Sequence, residues 1–75
     1  MPAQVEHLVT MANQIALNFG ERRNMPLASE RAAAHIEKFW TRAMRDQLVK
    51  YWQDGGEGLS PAVELLLQQG VSNPA

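Results

Sequence analysis

The sequence predicts a small all-α domain of three to four short helices, with no sheet, spanning residues 1–75. Apolar residues recur at alternating spacings of three and four, as they do along one face of a helix. Capping residues stand where these patterns start and stop, and no stretch shows the alternation typical of a strand. We expect helices at about 4–19, 28–40, 42–53 and 61–69, followed by a frayed tail at 71–75.

The first predicted helix has the clearest apolar stripe, formed by Val5, Leu8, Ala12, Ile15 and Phe19. Gly20 follows the last stripe residue. A left-handed C-terminal cap favours a residue without a Cβ at that position. The residues from 21 to 26 have no apolar period, so we expect the helix to stop at Gly20.

The second and third helices are predicted to be separate. Pro26 and Ser29 favour a helix start, and the alanine-rich segment that follows has a shared face of Ala32, Ile36, Phe39 and Trp40. Thr41 is a good N-cap for a third helix beginning at Arg42. We therefore expect a break at Thr41.

Glycines at positions 55, 56 and 58 indicate a turn or loop after the third helix, because they make both helix and strand costly. Ser60 then supplies an N-cap, and Pro61 is the residue type preferred in the first helical position. These residues predict a short fourth helix that ends near Gly70.

Size and composition limit the functions that the chain can have. At 75 residues without cysteine, it lacks disulfides and thiolate ligands, and its core should be thin enough for stability to depend on association. Its net charge of −1 gives no field that would attract nucleic acid or an anionic membrane. We expect a cytoplasmic protein that binds neither, and that forms a homodimer when its partner is absent.

The residues that carry chemistry do not form a recognisable site. His7 and His35 are the only histidines, and neither has a second ligand at metal-binding spacing. The glycine-rich segment lacks the preceding strand and following Lys-Ser or Lys-Thr of a phosphate loop. Ser29, Thr41 and Ser60 are better explained as helix caps than as nucleophiles. We expect no catalytic residue, no metal and no cofactor bound by this chain.

Binding residues are easier to identify. Phe39, Trp40, Tyr51 and Trp52 fall within fourteen residues and are interleaved with Met44 and Arg45, types that are enriched at interface anchors. The alternative is that the aromatic residues form the core. Adjacent helical residues point about 100° apart, so they cannot all face it, and we expect Trp40 or Trp52 near the surface. If Phe39 points inward, Trp40 and Arg45 become the favoured partner contacts.

Asn13 and Gln14 lie beside the first apolar stripe and have two interpretations. They form a solvated polar face, or their amides bond to another chain or to a neighbouring loop. The complete set of candidate partner-binding residues is Asn13, Gln14, Phe39, Trp40, Met44, Arg45 and Trp52.

Four segments together resemble a known family. Residues 8–16 (LVTMANQIA), 35–40 (HIEKFW), 43–45 (AMR) and 55–61 (GGEGLSP) occur in this order. Their combination is similar to the delta subunit of cytoplasmic NAD-dependent, molybdenum-containing formate dehydrogenases. The family often has proline where this chain has Arg42.

The resemblance implies an accessory subunit whose partner is the formate dehydrogenase catalytic subunit and its complex. It implies that other chains hold bis-molybdopterin guanine dinucleotide, iron–sulfur clusters, flavin and NAD, and that this chain supports assembly, stability or the cofactor-loaded state. A dedicated maturation chaperone for molybdenum-cofactor insertion is the alternative. A small helix-turn-helix nucleic-acid binder is more remote, because acidic residues interleave with the arginines.

Overall fold

The structure, a computed structural model, describes residues 2–70 and contains four α-helices in that range. They are α1 (Pro2–Asn18), α2 (Met25–Phe39), α3 (Arg42–Gln53) and α4 (Pro61–Gln68). No strand occurs in residues 2–70, so the predicted all-α class is confirmed. The tail predicted at 71–75 lies outside the described residues.

The end of α1 is closed by the glycine cap that the sequence predicts. Gly20 has a φ of 90°, and its N–H donates to the carbonyl of Leu17 at 3.0 Å. The N–H of Glu21 donates to the carbonyl of Ala16 at 3.1 Å. This pair of bonds is the Schellman motif, which satisfies carbonyls that the helix leaves open.

Helix α2 starts earlier than the predicted residue 28, and the expectation that Ser29 caps a helix is wrong. The N–H of Leu27 donates to Oδ1 of Asn24 at 3.1 Å, so Asn24 is the N-cap. Asn caps a helix as well as Ser does, and the cap at Asn24 places Pro26 in the first turn, where its missing N–H leaves no helical bond unmade. Ser29 instead lies inside α2 and is fully buried.

The break between α2 and α3 is confirmed at Thr41. Trp40 and Thr41 both have extended backbone, with ψ angles of 145° and 161°. Thr41 accepts a hydrogen bond at 3.2 Å from the N–H of Met44. The hydroxyl cap therefore starts the new helix at Arg42.

The glycine-rich segment after α3 forms the predicted loop. Gly56 has a φ of 65°, and a Cβ there would lie 3.2 Å from side-chain carbons of Leu59 and Trp52. Glycine is therefore required both by backbone conformation and by close packing. Ser60 caps α4 as predicted, since its Oγ accepts from the N–H of Val63 at 3.5 Å.

Buried side chains from all four helices and from the last loop form one core. Several members are alanines, which allow helix axes to approach closely, and α2 makes its most extensive helix contact with α4. The core residues are Leu8, Val9, Ala12, Ala16, Ala32, Ile36, Trp40, Leu48, Leu59, Ala62, Val63, Leu66 and Leu67.

Candidate partner interface

An open groove runs between α1 and the junction of α2 with α3. We call it the aromatic groove and define it by the residues that line it, Met11, Gln14, Ile15, His35, Phe39, Trp40 and Met44. Its surface is largely apolar, and it includes two methionines, whose flexible thioether side chains adapt to varied apolar partners. This composition is typical of a protein-binding surface.

Phe39 is the most exposed large apolar side chain among the described residues. It is 65% exposed, whereas Leu17, Phe19 and Leu27 are between 37% and 40% exposed. Burying apolar surface stabilises a complex by roughly 25 cal/mol per Å². A phenylalanine this exposed contributes little to the stability of the fold, and burying it against a partner would contribute more to the stability of a complex.

Neighbouring side chains hold the Phe39 ring in place. His35 lies one helical turn before it, with the two ring centroids 4.7 Å apart. The ring of Phe19 contacts the other side of His35 at a centroid distance of 6.0 Å. The ammonium of Lys38 lies 5.7 Å from the centre of the Phe39 ring, a favourable cation–π distance. These contacts restrict the exposed ring before any partner binds.

The orientation expected for Phe39 and Trp40 is reversed in the structure. Trp40 is only 6% exposed and belongs to the core, while Phe39 projects outward. Trp40 lies four residues after the buried Ile36, and its N–H still donates to the carbonyl of Ile36 at 2.9 Å, so its side chain keeps the direction of that buried face. Phe39, one residue earlier, points about 100° away from it. Trp40 therefore forms the floor of the aromatic groove and not a projecting anchor.

The remaining candidates on α3 are half-buried. Met44 lines the groove. Trp52 packs against the core but is only half-buried, whereas Trp40 is buried, so Trp52 is the tryptophan near the surface. Arg45 has a buried Nε that finds no hydrogen-bond partner among the described residues. Its role in binding a partner stays a prediction.

Asn13 bonds to a neighbouring loop, which was one of its two interpretations. Its Nδ2 donates to the carbonyl of Gly58 at 2.9 Å, and its Oδ1 accepts from the N–H of Ser60 at 3.0 Å. Gln14 is exposed at the groove and donates to Oδ1 of Asn18 at 3.3 Å. The two adjacent amides therefore have different surroundings.

Three residues that contribute to these contacts, Glu21, His35 and Phe19, were not predicted from the sequence as part of the site. Glu21 accepts a 2.8 Å hydrogen bond from the N–H of Ala62 and so helps to cap α4. No local signal predicts this contact across 41 positions. His35 and Phe39, in contrast, are four residues apart on one helix, a spacing at which side chains are neighbours. That spacing could have predicted the contact between His35 and Phe39. No sequence signal predicted that Phe19 would join them.

The geometry of the described residues bears on two kinds of ligand site, a metal site and a phosphate-binding loop. They contain no group of three or more His, Asp or Glu side chains arranged to hold a metal ion. In the glycine-rich loop, the N–H groups of Gly55 and Gly56 donate to carbonyls of α3 at 3.1 and 3.0 Å. These amides are occupied and cannot also cradle a phosphate. No helix in residues 2–70 is long and apolar enough to cross a membrane.

Comparison with known proteins assigns the family. Residues 7–65 match the family model for the NADH-dependent formate dehydrogenase delta subunit, FdsD. No curated protein and no solved structure gave a significant match. The matched range includes the Asn13 contacts, the aromatic groove and the glycine-rich loop. The chain therefore belongs to the family of NADH-dependent formate dehydrogenase delta subunits.

Proposed function

We propose that the chain is a non-catalytic accessory subunit that docks its aromatic groove onto the catalytic subunit of formate dehydrogenase. The observation that carries this proposal is Phe39, a large apolar ring that is 65% exposed and yet held by ring contacts. Family membership supports the choice of complex.

The composition of the groove supports tight docking. Phe39 and Met44 are large apolar side chains of types enriched at interfaces, and Trp40 gives them a packed floor. The contacts among Phe19, His35 and Phe39 reduce the side-chain entropy that would be lost on binding. A single well-packed anchor of this kind contributes about 2 kcal/mol or more.

Docking alone accounts for an accessory role. A subunit that binds only the folded catalytic chain stabilises it by about 2.7 kcal/mol when present at a hundred times its dissociation constant. In this proposal the redox cofactors are bound by other subunits, and the present chain contributes protein contacts only. Assembly, stability and retention of the cofactor-loaded state then follow from one binding equilibrium.

The test uses formate dehydrogenase purified from cells that lack this subunit. We expect the added chain to bind stoichiometrically, to remain in the active enzyme through gel filtration, and to slow loss of formate-dependent NAD⁺ reduction on warming. A chain that binds only enzyme lacking its molybdenum cofactor, and leaves on loading, would replace this proposal with the maturation chaperone. A chain that binds neither form would refute both.

A further inference from the structure

The charges bordering the aromatic groove on α2 are basic. Arg31 and Lys38 lie four residues before and three residues after His35, so both share its face of the helix. Glu30 and Glu37 lie five residues before and two residues after it, which places them on the far side. The basic residues of α2 therefore lie on the His35 side of the helix and the acidic ones on the other side, and Lys38 is the one in contact with a groove residue, Phe39.

The α1 border of the groove also lacks a carboxylate. His7 and Gln14 lie four residues before and three residues after Met11, on its face of α1. Glu6 lies five residues before Met11 and so points away from the groove. This border therefore offers hydrogen-bond donors and no negative charge.

The α3 border adds no negative charge to the groove. Met44 lines the groove from α3, whereas Gln47 lines a separate concavity beside Tyr51. Asp46 lies only two residues after Met44, on the opposite side, where it pairs with Arg42 at 3.8 Å. Other carboxylates of residues 4–70 are engaged elsewhere or lie on α4 and the loops, and none lines the groove.

Lys38 is the cation best placed to meet a partner. Its ammonium is already next to the most exposed apolar ring of the groove, 5.7 Å from the ring centre. Within residues 4–70 the one ion pair joins Arg42 to Asp46, which leaves the Lys38 ammonium available. A carboxylate brought beside Phe39 would gain a charge-assisted hydrogen bond in a partly dry site.

The backbone of the groove favours a helical occupant. The walls are helices whose main-chain groups are bonded internally, and residues 2–70 offer no strand edge. An extended segment would bury unpaired N–H and C=O groups against apolar side chains, at a cost of about 1–3 kcal/mol for each. A helix satisfies its own main chain and presents apolar side chains at spacings of three and four.

We propose that the occupant of the aromatic groove is an amphipathic helix of the catalytic subunit with carboxylates beside its apolar stripe. The stripe packs on Phe39, Met44 and Met11, while the carboxylates pair with Lys38 and Arg31. This inference rests on the proposed function, and it specifies the chemistry of the partner segment.

The first experiment measures affinity for formate dehydrogenase lacking this subunit, using neighbouring charge reversals on α2. We expect Lys38→Glu to weaken binding about tenfold or more at about 0.05 M salt, and to lose part of the salt dependence of the wild type. Glu37→Lys, the matched reversal on the far side, should bind like the wild type. Circular dichroism checks that both variants keep their helices.

Phe39→Ala separates failure of this inference from failure of the proposed function. If Phe39→Ala weakens binding but Lys38→Glu does not, the groove docks on the enzyme but its occupant is not an acidic helix. If the wild type binds and neither substitution changes the affinity, the groove is not the docking surface. Both the proposed docking through the groove and the acidic helical occupant are then refuted.

Zero-length carbodiimide coupling in the assembled complex provides the second experiment. The chain has two lysines, Lys38 and Lys50, so the second serves as an internal control. We expect mass spectrometry to find Lys38 joined to an Asp or Glu within a helix of the catalytic subunit. Coupling through Lys50 alone, or between Lys38 and a second copy of this chain, would overturn the inference.

Discussion

The two sides of α2 differ in the size and the exposure of their side chains. On its buried side the helix has Ala28, Ser29 and Ala32, which are small and fully buried, together with the larger Ile36, and its most extensive helix contact is with α4. Toward the aromatic groove it presents His35 and Phe39, which are large and remain partly or mostly exposed. The small residues allow a close helix contact, whereas the large ones leave an unfilled surface.

If the aromatic groove docks as proposed, folding and docking depend on separate faces of one helix. Small buried residues contribute modest transfer free energy each, but they fix the distance between α2 and α4. The aromatic face then has a defined position without being needed for the core. Changes on the two faces should therefore have separable effects.

Trp40→Ala should produce the largest effect, because this residue belongs to both regions. Removing a buried tryptophan typically costs about 3–5 kcal/mol, a large share of the stability of a small domain. We expect a strongly lowered thermal midpoint by circular dichroism and loss of docking. Unchanged melting of the variant would instead favour Trp40 as a surface contact.

Phe39→Ala, at the adjacent position, should affect docking and leave folding almost unchanged. We expect a stability change within about 0.5 kcal/mol, and a loss of binding of about 2 kcal/mol, or roughly thirtyfold. Calorimetric titration of formate dehydrogenase lacking this subunit measures the loss. Leu27→Ala, on an exposed apolar residue outside the groove, is the control. Equal weakening by both variants would contradict a specific groove.

Asn13→Ala should have an intermediate effect on folding. It removes both hydrogen bonds that join α1 to the loop before α4, each contributing about 0.5–1.5 kcal/mol. Urea denaturation should therefore show a loss of about 1–3 kcal/mol. Gln14→Ala, at the neighbouring exposed amide, should change stability by less than about 0.5 kcal/mol. Similar losses for both would mean that the loop contacts contribute little.

Ser29→Ala should have the smallest effect, and in the opposite direction. The Ser29 hydroxyl is buried without a hydrogen-bond partner among the described residues, and alanine is the better helix former. We expect a gain of about 0.5–1 kcal/mol in the free energy of unfolding. Ser60→Ala removes a true N-cap and should instead cost about 1 kcal/mol. Losses of equal size would show that Ser29 has a partner after all.

Local chemistry made the fold class and most helix ends predictable. Gly20, Thr41 and Ser60 each act at a helix end through atoms within a few residues, so the sequence contains the whole interaction. The start of α2 was misplaced because Asn24 and Ser29 both suit an N-cap. Only the cap at Asn24 puts Pro26 in the first turn, and it leaves Ser29 buried inside the helix.

The site was less predictable because it depends on non-local geometry. The aromatic cluster is visible in the sequence, and spacing shows that Phe39 and Trp40 point about 100° apart. Spacing alone does not say which of the two faces is covered by the other helices, and the structure buries the one that Trp40 shares with Ile36. The contacts of Asn13 with Ser60 and of Glu21 with Ala62 span 47 and 41 positions. Nothing in either neighbourhood specifies the other, so these contacts became visible only in the folded chain.

The long-range polar contacts also constrain when the folded chain can form. Asn13 and Glu21 bond to the loop and first turn of α4, and α4 supplies Val63 and Leu66 to the core. During synthesis α1, α2 and α3 are translated before these partners. Contacts between distant positions require the intervening chain to close into a loop, which slows folding. The aromatic groove should therefore take its final shape only after α4 has been made and has joined the core.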